Sequence, residues 1–144
     1  MLHFLILIHY ASTLIMTGAI WLAQLSQYPL LAYVGRRNFI RYENQHIRRI
    51  SNIAWLIIYI ELISGLLLVF FTPDGVPAYT AKLGFLLIAV IWSATWFIQY
   101  PIHKKLAHGF DKTLHRKLVN TNWLRTISWT LRALIWTLAL SILL

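Results

Sequence analysis

Apolar positions dominate four long stretches of this chain, and polar positions gather in three short stretches between them. Each apolar stretch reaches or exceeds the roughly 20 residues that a helix needs to cross the hydrocarbon core of a bilayer. The pattern predicts an all-α, polytopic membrane four-helix bundle occupying residues 1–144 as a single domain. Its helices are expected at about residues 2–34, 51–71, 79–103 and 112–143, the last beginning as an amphipathic turn and crossing from about Thr121.

The breakers between the runs set the boundaries. Pro29 removes one amide donor and frees the carbonyl of Leu25, so the first helix is expected to be an over-long rod, kinked or tilted near its end. Gly35 stops it, and the basic segment RRNFIRYENQHIRR, with Phe39, Tyr42 and Ile47 among its charges, reads as a short surface-lying helix or turn. TPDGVP marks the next turn. Gly109 breaks the chain again, and Asp111, ahead of Lys112, Thr113 and Leu114, is placed to cap the fourth helix. The first run lacks a basic leading region and is longer than a signal-peptide core, so it is expected to be retained.

An internal echo organises these elements. Gln27-Tyr28-Pro29 returns as Gln99-Tyr100-Pro101, and His46 with Arg48 and Arg49 is matched by His115 with Arg116 and Lys117. Each copy ends in a polar step into an apolar helix. The echo predicts two similar helical hairpins forming a parallel pseudo-repeat, related by an axis along the membrane normal, with a polar pocket at one end.

Composition sharpens the membrane reading. The chain is 59% hydrophobic and 12% charged, with mean hydropathy +0.65, more apolar surface than a soluble core of this size hides. The 13 Lys and Arg against 4 acidic residues give a net charge of +9. Eleven of the basic residues fall in the first and third polar stretches, five from Arg36 to Arg49 and six from Lys104 to Arg125, while the second has only Lys82. That asymmetry predicts a bacterial inner (cytoplasmic) membrane protein with both termini outside the cytoplasm, and anionic lipid headgroups of the cytoplasmic leaflet as partners instead of nucleic acid. Without cysteine, thiolate metal sites and iron–sulfur clusters are excluded.

Candidate chemistry begins with Glu61 and Arg132. Both lie roughly nine or ten residues inward from the basic ends of their helices, which at about 1.5 Å per residue puts them at equal depth near the midplane. A lone charge there costs roughly 2.5–3.5 kcal/mol on insertion scales, so a buried ion pair is expected, serving either helix register or a proton or substrate relay. A second set, Gln24, Tyr28, Gln99, Asn122 and Arg125, with His46 and His103 from the adjoining loops, forms a polar belt. Its amides either satisfy the carbonyls freed by Pro29 and Pro101 or bind a polar or anionic head, with Arg125 as the charge. His103, His108, Asp111 and His115 have some of the spacing of a metal cluster, but Gly109 interrupts the helix and Asp111 serves as a cap, so no metal is expected. Trp21, Trp55, Trp96 and Trp123 read as an interfacial belt, and Trp129 and Trp136 as packing. No phosphate-binding glycine loop, nucleophile triad or carboxylate pair is present, which argues against hydrolytic and nucleotide-driven chemistry.

At IWLAQLSQYPLLAYV, FIRYENQHIRRI, QYPIHKKLAHGFD and HRKLVNTNWLRT the chain resembles a group of small bacterial four-helix membrane proteins of uncharacterised role, a likeness that implies an architecture and no activity. Pro101 with the polar loop and Asn122 to Thr126 is more distantly similar to the anthrone-oxygenase-like membrane family. His9 in the first helix, and Ala81-Lys82-Leu83 opening the third, resemble the HemJ-type protoporphyrinogen oxidases, which implies haem b on His9 and Lys82.

Three functions follow as expectations: a protein that binds a lipid-like or amphipathic ligand at the cytoplasmic-side belt, a haem-binding membrane oxidoreductase, and a small transporter using Glu61 and Arg132. Four helices leave little room for a two-state pathway, so the last requires a homodimer.

Overall fold

The computed structural model describes residues 2–143, and among them the chain forms four long helices and no strand. These are α1 (Leu2–Tyr33), α2 (Arg36–Phe70), α3 (Ala78–Leu106) and α4 (Lys112–Leu143). They run up and down in a ring, α1 against α2 and α4, and α3 against α2 and α4.

α1 and α3 share an irregularity. In α1 the residues Ala23–Gln27 form a wide π turn, and the N–H of Tyr28 reaches back to the carbonyl of Ala23. In α3 the residues Thr95–Gln99 do the same, with Tyr100 N–H on the carbonyl of Thr95. Each wide turn ends at the residue before Tyr-Pro. Widening the backbone there moves the carbonyl four residues back away from the proline ring, so the helix continues through Pro29 and Pro101 where a regular α-turn would clash. α1 then tightens into the 3₁₀ turn Leu31–Tyr33 and stops at extended Val34.

α2 differs from the sequence expectation: residues 36–49 are no separate surface element but the first turns of one unbroken 35-residue helix. No glycine or proline interrupts residues 36–64. Phe39, Glu43 and His46, spaced by four and three, share one face. Phe39 and Glu43 are fully buried on it, while Arg36, Arg37, Arg41, Arg48 and Arg49 face outward. Phe39 meets Phe110 edge-on, ring centroids 5.1 Å apart. Burial of that stripe holds the basic segment in line with the apolar remainder of the rod.

The hairpin between α2 and α3 turns at Pro73–Val76, where Gly75 takes φ 87° and Val76 N–H bonds the Pro73 carbonyl at 3.1 Å. Between α3 and α4, Asp111 Oδ1 accepts the N–H of Leu114 at 2.7 Å, an N-cap bond.

Three helices, α1, α2 and α3, are long and apolar enough to cross a membrane. α4 is as long, but Asn122, Arg125, Thr126, Ser128 and Arg132 interrupt its apolar character, and all five are buried. These polar side chains therefore face the bundle, while Leu124, Leu131, Leu134 and Leu138 are exposed on the outside. Large exposed apolar residues also cover the other helices, Phe4, Leu25, Ile53 and Phe97 among them. An outer surface of that kind suits lipid. Inside, one apolar cluster centres on Trp129, Phe39, Leu118 and Met16, and a second on Trp136, Leu68 and Ile6.

Candidate functional site

Two polar assemblies lie in the bundle, two helical turns apart along α4. The first centres on Arg132, which is fully buried. Its Nη1 donates to Glu61 Oε1, its Nε to the Gly84 carbonyl at 3.2 Å, and its Nη2 to His9 Nε2 at 3.2 Å and Thr13 Oγ1 at 3.3 Å. Glu61 also accepts the indole N–H of Trp129, at 3.0 and 3.2 Å from its two oxygens. All four helices contribute, so the pair fixes the register of the bundle.

The hub also settles which His9 nitrogen carries the proton. Ser64 Oγ donates to the Ile60 carbonyl at 2.6 Å, so towards His9 Nδ1, 2.8 Å away, it acts as acceptor. Nδ1 therefore bears the hydrogen, and Nε2 offers its lone pair to Arg132. Both nitrogens are occupied. Gly65 makes room for the ring: a Cβ there would stand 3.0 Å from His9 Cε1 and 2.7 Å from Ile88 Cδ1. Lys82 is exposed at the start of α3. These residues do not fit haem, since His9 has no free lone pair within the bundle and Lys82 is exposed outside it.

The second assembly is the belt. Gln24 Oε1 accepts Asn122 Nδ2 at 2.8 Å and Gln24 Nε2 donates to the Val119 carbonyl at 3.2 Å. Gln99 Nε2 donates to Thr121 Oγ1 at 2.9 Å. The amides thus tie α1 and α3 to α4, and none of their bonds goes to the carbonyls of Leu25 or Phe97. The prolines are accommodated by the π turns instead.

Arg125 behaves unlike its neighbours. It is 9% exposed, yet its only hydrogen bond among the described residues runs from Nη1 to Asn122 Oδ1 at 3.3 Å. Its guanidinium lies 5.3 Å from the Trp129 ring centroid. Nε has no partner, and no carboxylate pairs with it among the described residues.

Arg125 lines a pocket of about 110 Å³ that opens between α2 and α3. Ser51 and Trp55 stand on the α2 side, Gln99 and Tyr100 on the α3 side, and buried Tyr28 reaches it from α1. Gln99 Oε1 is buried without a partner. Beside the mouth, Trp55 and Trp96 rings lie 5.5 Å apart, and Trp96 and Tyr100 continue the row at 5.5 Å.

His46 and His103 complete the lining. Both sit in helices, α2 and α3, not in loops as the sequence pattern had indicated. His103 Nδ1 is 2.7 Å from Glu43 Oε1 and its Nε2 is 3.4 Å from the Tyr28 hydroxyl. Glu43 is fully buried, and its Oε2 has no partner. His115 is held from α4 by the Tyr28 carbonyl, its Nε2 2.8 Å away, and His108 is exposed. No group of three metal-ligating side chains forms among the described residues.

The structure thus divides the sequence candidates. Gln24, Asn122 and Arg125 meet in one network, Tyr28, His46, Gln99, His103 and Arg125 share one pocket, and Glu61 and His9 meet on Arg132. Glu43 is the buried partner of His103 that sequence reasoning missed. It is the one acidic residue in its basic segment, three residues before His46 and four after Phe39, and that spacing was the available signal. Thr13, Ser64 and Trp129 were missed as partners of the hub because hydroxyls and indoles in apolar helices carry no depth signal of their own.

No protein family, no curated protein and no solved structure matches this chain.

Proposed function

We propose that this is a cytoplasmic-membrane protein that binds an amphipathic, lipid-like molecule, its anionic head held by Arg125 in the pocket between α2 and α3. The observation that carries this reading is the lone buried cation. An arginine removed from water without a counter-ion costs several kcal/mol, a cost that selection removes easily unless a ligand supplies the charge. The exposed aromatic row of Trp96 and Tyr100 beside the mouth suits the apolar part of such a molecule.

In this reading both termini lie outside the cytoplasm and the belt faces the cytoplasmic leaflet, supported by the 11 basic residues in the first and third polar stretches. The two hairpins form a parallel pseudo-repeat, supported by the matching π turns ahead of Tyr28-Pro29 and Tyr100-Pro101.

Mass spectrometry of lipids that copurify with the wild type and with Arg125→Ala tests the proposal. A lipid-like species retained by the wild type and depleted in a folded Arg125→Ala protein is expected. An identical lipid complement in both would remove Arg125 as the head-group site.

A further inference from the structure

Resting on that reading, we propose that the ligand head is a carboxylic acid that arrives from the bilayer protonated, gives its proton to His103 and pairs as a carboxylate with Arg125. Three features of the pocket converge on this chemistry.

The first is the free edge of Arg125. With Nη1 committed to Asn122, Nε–H is left buried with no acceptor among the described residues, and with Nη2 it forms the side-on edge of the guanidinium. Two parallel N–H donors match the two oxygens of a carboxylate. The second is size. A space of about 110 Å³ is enough for a compact planar head.

The third is the base. A phosphodiester or sulfonate is ionised at any physiological pH and needs only the cation. A carboxylic acid in hydrocarbon is different, because the neutral form is the one that partitions there. To reach Arg125 from the lipid side it must lose a proton inside the pocket. His103 is placed to take it: in its neutral form it would donate Nδ1–H to Glu43 Oε1 and present the Nε2 lone pair beside the pocket, where the Tyr28 hydroxyl, at 3.4 Å, is its neighbour. In the transfer the acid O–H bond breaks, its electron pair stays on the carboxylate, and an N–H bond forms at Nε2. Imidazolium then faces Glu43 while carboxylate faces Arg125, so neither new charge is left alone.

The groups facing His103 are few. Glu43 and His46 approach from α2, Tyr28 from α1 and Arg125 from α4 across the pocket, while Lys104 and Lys105 on its own helix are exposed. His115 of α4 is one step removed, on the Tyr28 carbonyl.

The probe is palmitate carrying ¹³C at its carboxyl carbon, added to the full-length protein in nanodiscs of zwitterionic lipid. The carboxyl chemical shift distinguishes acid from carboxylate. At a pH where palmitate in empty discs is mainly protonated, the protein-bound signal is expected to be that of the carboxylate. Methyl palmitate and lysophosphatidylglycerol should compete at least about tenfold more weakly than palmitate, since neither offers a carboxylate to the free edge of Arg125. His103→Gln should bind palmitate more weakly at that pH and recover at higher pH, where the bilayer itself delivers the anion; unchanged binding at the lower pH would remove His103 as the proton acceptor. A bound signal of the protonated acid in the wild type, or equal competition by either control, would overturn the carboxylic-acid assignment while leaving an amphiphile site in place. Absence of binding by all three probes, together with an Arg125-independent lipid complement, would overturn the proposed function itself. The wild-type spectrum decides the matter should His103→Gln fail to fold.

Discussion

Arg125 and Arg132 stand seven residues apart on one face of α4, both buried, and only Arg132 has a carboxylate. Seven residues are two turns of helix, about 10 Å along the axis. One arginine is thus bonded to all the other helices, and the other is a buried cation lining a pocket. Their substitutions should separate accordingly.

Arg125→Met is expected to leave unfolding in detergent within about 1 kcal/mol of the wild type, or to stabilise it, because it removes an uncompensated buried charge. Arg132→Met strands Glu61 in the bundle and should cost about 3–5 kcal/mol. Thermal or denaturant unfolding of both variants in one detergent provides the comparison. Equal losses would make Arg125 a structural residue.

Glu61→Gln and Arg132→Met should be strongly non-additive. Each alone leaves a buried charge unpaired, whereas together they leave none, so the double variant should be more stable than the sum of the single losses by about 1–3 kcal/mol. Additive losses would show that the pair contributes no coupling.

Nitrogen-15 spectra of selectively labelled histidine should report His9 as the Nδ1–H tautomer. Ser64→Ala removes the acceptor of that hydrogen and should cost about 1 kcal/mol while disturbing the signal. With both nitrogens engaged, His9 should support no haem chromophore. A Soret band in the purified protein that vanished in His9→Ala would contradict this arrangement.

Gly65→Ala should destabilise by about 1–3 kcal/mol through overpacking, since the new Cβ would meet Ile88 Cδ1 at 2.7 Å and His9 Cε1 at 3.0 Å. Adding Ile88→Val removes the nearer atom and should recover part of the loss. Full tolerance of the single substitution would mean that α1, α2 and α3 pack less closely there.

Much of this arrangement was legible in the chain. Four apolar runs and the breakers at Gly35, Pro73 and Gly109 mark the helices, because a segment apolar and long enough to cross lipid is written plainly in composition. Equal depth brought Glu61 and Arg132 together for the same reason. The pocket was legible only in part. Arg36 to Arg49 carries so much charge that it reads as a surface segment, and the stripe of Phe39, Glu43 and His46 is visible only once α2 is known to be continuous. Glu43 and His103 are 60 residues apart, and no local rule pairs a carboxylate in one hairpin with an imidazole in the next. The π turns were equally hidden: proline predicts a kink and says nothing of the form the backbone chooses.

Those two wide turns also set the phase of the rods. α2 and α4 run regularly past the pocket, carrying His46 and Arg125. α1 and α3 each take up an extra residue just before Tyr28 and Tyr100, which turns everything beyond it by about 100° around the helix axis relative to an uninterrupted α-helix. Tyr28 and His103 therefore owe the side of the helix they occupy to the wide turns, while the ionic hub, on the far side of both, keeps the regular helical phase.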